Sequence, residues 1–246
     1  MKNPLLPISL LLGLLIISQN CNAQEPALTP RFTEQIEAYL KADATNPPPQ
    51  EGILFVGSSI FRLWKKLPQQ MAPLPVFNRA FGGSRTDEQL FYLDKIVLPY
   101  QPKIIVYYCG SNDINVNAQA EHIATRFKQF AERVHATLPK TRIYFVSINR
   151  APQKMDKWKV VDDANALIKS YCIAAKGLGY IDVNRVLFDK RRQPRYDLYL
   201  PDKLHFVDKA YELFTPVIKP VIARAWREMN ATRPPRKPKR AATSPA

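Results

Sequence analysis

Ile53-Leu54-Phe55-Val56-Gly57-Ser58-Ser59-Ile60 joins four apolar residues to a glycine and two serines, and leads into Phe61-Arg62-Leu63-Trp64. It reads as a strand buried on both faces that turns sharply at Gly57 into a helix. Comparable short apolar runs follow at residues 76–78, 104–109, 143–148 and 180–183, the last of them carrying Asp182. Amphipathic stretches of helical length lie near residues 87–98, 118–137, 157–177 and 208–228. Strands that are apolar throughout and separated by helix-length segments argue for a parallel sheet covered on both faces. The expectation is an α/β fold: a three-layer α/β/α domain over residues 51–229, built on a five-stranded parallel sheet.

In such a sheet the site lies outside the carboxyl ends of the strands, so a chemical motif should begin where an apolar run stops. Ser59 stands at such an end, although a serine there is also a common helix N-cap. Gly82-Gly83-Ser84 follows Val76-Phe77-Asn78-Arg79-Ala80-Phe81 and could turn backbone N–H groups into a site, or form an ordinary strand-to-helix turn. Cys109-Gly110-Ser111-Asn112-Asp113 ends the third run; Asn112 could aim an amide at the cleft, while Asn and Asp also favour turns. Asp202-Lys203-Leu204-His205 precedes the last helical stretch. A carboxylate three residues before an imidazole can hold its Nδ1–H and fix the tautomer. His122 and His135 fall inside a helical pattern among charged residues and read as solvated surface positions.

Each segment alone has a bland reading; the four in this order are more specific. A serine, a glycine, an Asn in Gly-x-Asn-Asp and a C-terminal Asp-x-x-His resemble the conserved blocks of the SGNH (GDSL-type) hydrolase family, over most of residues 51–215. The resemblance implies a flavodoxin-like three-layer fold and an active site with neither metal nor cofactor. It implies Ser59 as nucleophile with Asp202 and His205 completing a catalytic triad. The Ser59 N–H, the Gly83 N–H and the Asn112 side chain are implied as the oxyanion hole. The family's Gly-Asp-Ser reads Gly57-Ser58-Ser59 here, which leaves Ser58 as a second possible nucleophile. The α/β-hydrolase elbow Gly-x-Ser-x-Gly is not met, because Phe61 stands two residues after Ser59. Neither Gly-x-x-x-x-Gly-Lys-Ser/Thr nor Gly-x-Gly-x-x-Gly occurs, which argues against a nucleotide-binding α/β protein.

The flanks carry their own signals. Lys2, an uncharged run over residues 5–17 and a polar stretch ending Cys21-Asn22-Ala23 read as a signal peptide cleaved after Ala23. The run is shorter than the about 20 apolar residues of a membrane span. A lipid anchor through Cys21, the one route to membrane contact, is opposed by the large polar residues of Ser18-Gln19-Asn20. A secreted or periplasmic protein is expected. Residues 24–50 read as a short helix over 31–43 and a linker ending in Asn46-Pro47-Pro48-Pro49, since proline cannot continue a helix. Cys109 and Cys172 read as buried unpaired thiols, with a disulfide between them as the alternative. The net charge of +15 is concentrated in part at residues 233–240, with five basic residues, three prolines and no acid. Such an end lacks the apolar residues to pack and reads as a solvated tail within residues 230–246. No nucleic-acid partner is expected of an exported chain. The expected partner is a small-molecule or polysaccharide ester, with small acyl groups released from carbohydrate. Lysophospholipase or thioesterase action is the alternative within the family, and a non-catalytic carbohydrate- or lipid-binding module the alternative outside it.

Overall fold

The structure, a computed structural model, describes residues 30–231. The signal segment with Cys21 and the basic tail lie outside the described residues. The elements are α1 (Thr33–Thr45), β1 (Ile53–Gly57), α2 (Ser59–Arg62), α3 (Leu67–Met71), β2 (Val76–Asn78), α4 (Thr86–Phe91) and α5 (Leu93–Ile96). They continue with β3 (Ile104–Tyr108), α6 (Ser111–Asn115), α7 (Ala120–Thr137), β4 (Arg142–Val146), α8 (Trp158–Ala174), β5 (Leu178–Ile181) and α9 (Asp208–Asn230). The five strands form one sheet in the order β2-β1-β3-β4-β5, and every pairing is parallel. The expected α/β/α architecture is present.

Strand periodicity divides the core into two layers. Leu54, Val56, Ile105 and Tyr107 face the layer packed by α1, α4, α5, α7 and α8. Their neighbours Ile53, Phe55, Ile104, Val106 and Tyr108 face the layer packed by α2, α3 and α9. β1 and β3 are buried at every position, as a central parallel strand must be. The edge strands β2 and β5 are only partly covered, as are Arg142 and Tyr144 of β4, which corrects the expectation of full burial for all five. The 143–148 run leaves the sheet at its end: Ser147 N–H still donates to the Ile181 carbonyl of β5 at 2.9 Å, whereas Ile148 N–H donates to Asn165 Oδ1 at 2.9 Å. β5 starts two residues before the expected 180–183 run, in register with Ile143 through Val146. The single helix expected over 87–98 is two, α4 and α5, broken at Tyr92, whose ring is buried beside Phe81 and Phe91. Cys109 and Cys172 are buried and unpaired.

α1 docks on the domain: Ile36 is buried in the core and Arg79 pairs with Asp43. His135 is not simply solvated. It is partly buried at the carboxyl end of α7, and its Nε2 lies 2.9 Å from the Thr141 carbonyl.

Gly57 sets the direction of the chain leaving β1. Its φ of +143° is one that side chains disfavour, and a Cβ there would sit 1.8 Å from the Tyr108 carbonyl oxygen. Gly57→Ala is therefore expected to lower stability by at least about 3 kcal/mol, the range of severe backbone and packing faults. A denaturant midpoint within experimental error of the parent would show that the β1–β3 contact can relax.

Candidate active site

The strand order reverses between β1 and β3, the place where open α/β sheets leave a crevice at their carboxyl ends. Ser59 opens α2 directly after β1, and Asn112 lies in α6 directly after β3. The two segments therefore flank one crevice, although 53 positions separate them in the chain (112 − 59).

The third contributor arrives from far along the chain. A turn over residues 199–206 is closed by an antiparallel bridge between Tyr199 and Phe206, with Leu200 N–H donating to the His205 carbonyl at 2.7 Å. Asp202 Oδ1 accepts the N–H groups of Leu204 (3.0 Å) and His205 (2.9 Å). Its Oδ2 lies 2.6 Å from His205 Nδ1, and His205 Nε2 lies 2.9 Å from Ser59 Oγ. A carboxylate can only accept, so Nδ1 carries the proton and the neutral ring's Nε2 accepts from the Ser59 hydroxyl. Partial burial raises the Asp202 pKa, but the bonds from the His205 ring and the two amides outweigh it and hold the carboxyl below its usual range. Asp202 thus stays ionised beside the ring.

Ser58 is a different matter. Its side chain is buried, and its Oγ has no hydrogen-bond partner among the described residues, whereas Ser59 reaches the crevice.

Ser59, Gly83, Asn112 and His205 line one hollow of about 340 Å³, together with Gln35, Arg62, Gly82 and Leu204. As the first residue of α2, Ser59 has an N–H with no intrahelical acceptor. Asn112 Nδ2 donates to the Ser84 carbonyl at 3.0 Å. A carbonyl cannot donate, so this contact decides which end of the amide is NH₂ and leaves a second N–H on the same nitrogen. Asp113 points away from the hollow into the protein, where the Thr86 N–H (3.0 Å) and hydroxyl donate to it. Burial raises its pKa, and the Thr86 bonds pull the other way. Its work is to tie the Asn112 turn to the start of α4.

Sequence reasoning gave no role to Arg62, Gln35, Ser84 or Lys154. Arg62 was findable, because position i+3 on a helix lies on the same side as position i. Gln35 was not, since only the docking of α1 brings it there. Lys154 is buried, and its Nζ donates to the Ser111 carbonyl (2.5 Å) and hydroxyl (2.6 Å), holding the Asn112 turn from behind. Burial and, secondarily, Lys157 push its pKa from 10.5 down to about 8, against the pull of Asp113. Between those two pH values the unfolded chain binds a proton that the folded chain has lost, so stability rises with pH there. Below about pH 8 both states are protonated and the whole cost of burying the charge is present. Relative to Lys154→Met, the parent should gain on the order of 2–3 kcal/mol between pH 7.5 and 10.5. A difference in denaturation free energy that stays constant across that window would show that Lys154 titrates like an exposed lysine.

Among the described residues no group of three or more His, Cys, Asp or Glu side chains is placed to hold a metal ion. The model of the GDSL-like lipase/acylhydrolase family matches residues 55–213. No curated protein matches the chain. Among solved structures, the chain is similar to a GDSL-like lipase from Bacteroides thetaiotaomicron, with 18% identity and a TM-score of 0.64, over 77% of this chain and 98% of that one. It is also similar to a family 3 carbohydrate esterase from Talaromyces cellulolyticus, at 13% identity and a TM-score of 0.59, over 72% and 98% of the two chains. A family 3 carbohydrate esterase from Clostridium thermocellum aligns over 72% and 97%, at 14% identity and a TM-score of 0.57. At these identities the structures speak for the fold.

Proposed function

We propose that this chain, which belongs to the GDSL-like lipase/acylhydrolase family, is an exported serine esterase that releases small acyl groups from carbohydrate. The observation that carries the reading is the Ser59–His205–Asp202 relay, 2.9 Å and 2.6 Å across its two links. Family membership supports hydrolase chemistry in general.

In the proposed reaction Ser59 Oγ attacks the ester carbonyl carbon and its proton passes to His205 Nε2. Asp202 stabilises the imidazolium without taking its proton. The carbonyl oxygen becomes an oxyanion facing the N–H groups of Ser59 and Gly83 and the free N–H of Asn112. Collapse breaks the bond to the alcohol, which leaves with the proton from Nε2. A water, deprotonated by the same nitrogen, then releases the acid and restores Ser59.

A hollow of about 340 Å³ is near the small end of ligand pockets. It supports short acyl groups over the long chains of a lysophospholipid or acyl thioester. The three-layer fold shared with two carbohydrate esterases is consistent with that preference. Export rests on the residues before Gln24 alone.

The test is a serine-directed aryl phosphonate followed by peptide mass mapping, with kcat/KM for acetyl, butyryl and octanoyl esters of one alcohol. Phosphonylation of Ser59 and rates falling with chain length are expected. An unlabelled, inactive protein would favour a binding module, and rates rising to octanoyl would favour the lipid alternative.

A further inference from the structure

The proposed triad and oxyanion donors leave one conspicuous group in the hollow unused. Arg62, on the last position of α2, is the only permanently charged side chain lining the hollow among the described residues. It is exposed, and no carboxylate, carbonyl or aromatic ring among the described residues pairs with it. Arginines on neighbouring segments are committed: Arg31 pairs with Glu88, Arg79 with Asp43, and Arg85 with Asp87.

The position of the guanidinium is set by a missing side chain. The Gly82 backbone is outside the left-handed region, so conformation does not demand glycine there. A Cβ at 82 would instead sit 2.4 Å from Arg62 Nε and 3.1 Å from Cζ. The guanidinium therefore lies against the backbone of the same Gly82-Gly83 turn that offers an N–H to the oxyanion. Asp202, the acid nearest in the relay, cannot also serve Arg62 by the contacts seen: its oxygens take two amides and the His205 ring.

An unpaired guanidinium in a concave site offers a planar fork of donors matched to carboxylate and phosphate, a geometry that a lysine or a solvated surface charge lacks. We propose that Arg62 is the residue by which this site selects its substrate, and that its preferred esters carry an anionic oxygen group, carboxylate or phosphate, beside the scissile ester. The proposal rests on the esterase reading above and narrows its substrate class. The net charge of +15 would draw such substrates in at low salt.

The experiment uses acetyl esters in matched pairs, so the acyl group is constant: an acetylated uronic acid against the acetylated neutral sugar, and 1-acetylglycerol 3-phosphate against 1-acetylglycerol. For the parent, kcat/KM is expected to favour the charged member at least about tenfold in one pair or both, the range of a charge-assisted hydrogen bond. The favoured pair identifies carboxylate or phosphate. The preference should shrink as ionic strength rises toward 1 M, where the screening length falls to about 3 Å. Arg62→Gln should collapse the charged-to-neutral ratio toward one, mainly through KM. Arg62→Lys should keep part of it, and Gly82→Leu, which displaces the guanidinium while leaving it in the chain, should behave like Arg62→Gln. Neutral and charged members hydrolysed alike by the parent, or a ratio that Arg62→Gln leaves intact, would overturn the proposal while the esterase reading stands. No hydrolysis of any ester, with Ser59 unlabelled by phosphonate, would remove both.

Discussion

Ser59→Ala is expected to lower ester turnover by about 10⁴–10⁶-fold, the cost of removing the proposed nucleophile, whose partners act only with it. His205→Ala should fall to a similar level, and the double variant should be scarcely worse than either single one, since each deletion disables the same relay. The residual rate would come from the oxyanion donors and from binding. Unfolding midpoints of the single variants serve as the control. Ser59 is only partly buried, and removing its hydroxyl leaves the packing of α2 through Ile60 and Phe61 untouched. The neighbouring serine provides the contrast. Ser58 Oγ is buried without a partner and makes no bond to His205, so Ser58→Ala should keep turnover within a few-fold of the parent. Full activity in Ser59→Ala together with inactive Ser58→Ala would move the nucleophile back one residue and refute the assignment.

Asn112→Ala should cost about 10²–10³ in kcat with little change in KM, as loss of a single oxyanion donor typically does. The split follows from the proposed role of the donor: it would strengthen as charge develops on the carbonyl oxygen and contribute little to the bound ester. The bond from Asn112 Nδ2 to the Ser84 carbonyl makes a second, sharper expectation possible. Asn112→Asp keeps the size of the side chain but sets acceptor oxygens against both that carbonyl and the developing oxyanion. It should therefore be at least as slow as Asn112→Ala, and no faster at any pH where the new carboxyl is ionised. Single-turnover kinetics on an aryl acetate separate this step from deacylation. An effect confined to KM would show that Asn112 holds the substrate and not the transition state.

The architecture was legible because burial writes itself into composition. A strand covered on both faces must be apolar throughout, and residues 53–56 and 104–108 are. The edge strand β2 spans residues 76–78 as expected, whereas β5 begins two residues before its expected run, at Leu178 and Gly179, which are only partly covered and lie outside a continuous apolar signal. The break at Tyr92 was invisible because residues 87–98 read as one amphipathic stretch, and the ring that Tyr92 meets, Phe81, lies on another segment. The candidate site was legible at the level of residue types. Gly57, Ser59, Gly83, Asn112, Asp202 and His205 all sit where runs stop and turns begin, which is where local pattern is informative.

What the sequence by itself determined was the alternation of buried strands with amphipathic helices, and the Asp202–His205 spacing that lets one short turn hold carboxylate and imidazole together. Each depends on residues near one another in the chain. Only the tertiary structure decided that His205 Nε2 meets Ser59 and not Ser58, that Ser84 orients the Asn112 amide, that Lys154 braces its turn, and that Arg62 enters the hollow without a partner. The hydrogen bonds among them reach across 28 to 146 positions of sequence, set by how the helices pack on the sheet. Hydrophobic burial is non-directional, so it dictates that these segments come together; the angstrom-scale partner of each polar atom is settled by directional hydrogen bonds in the finished packing.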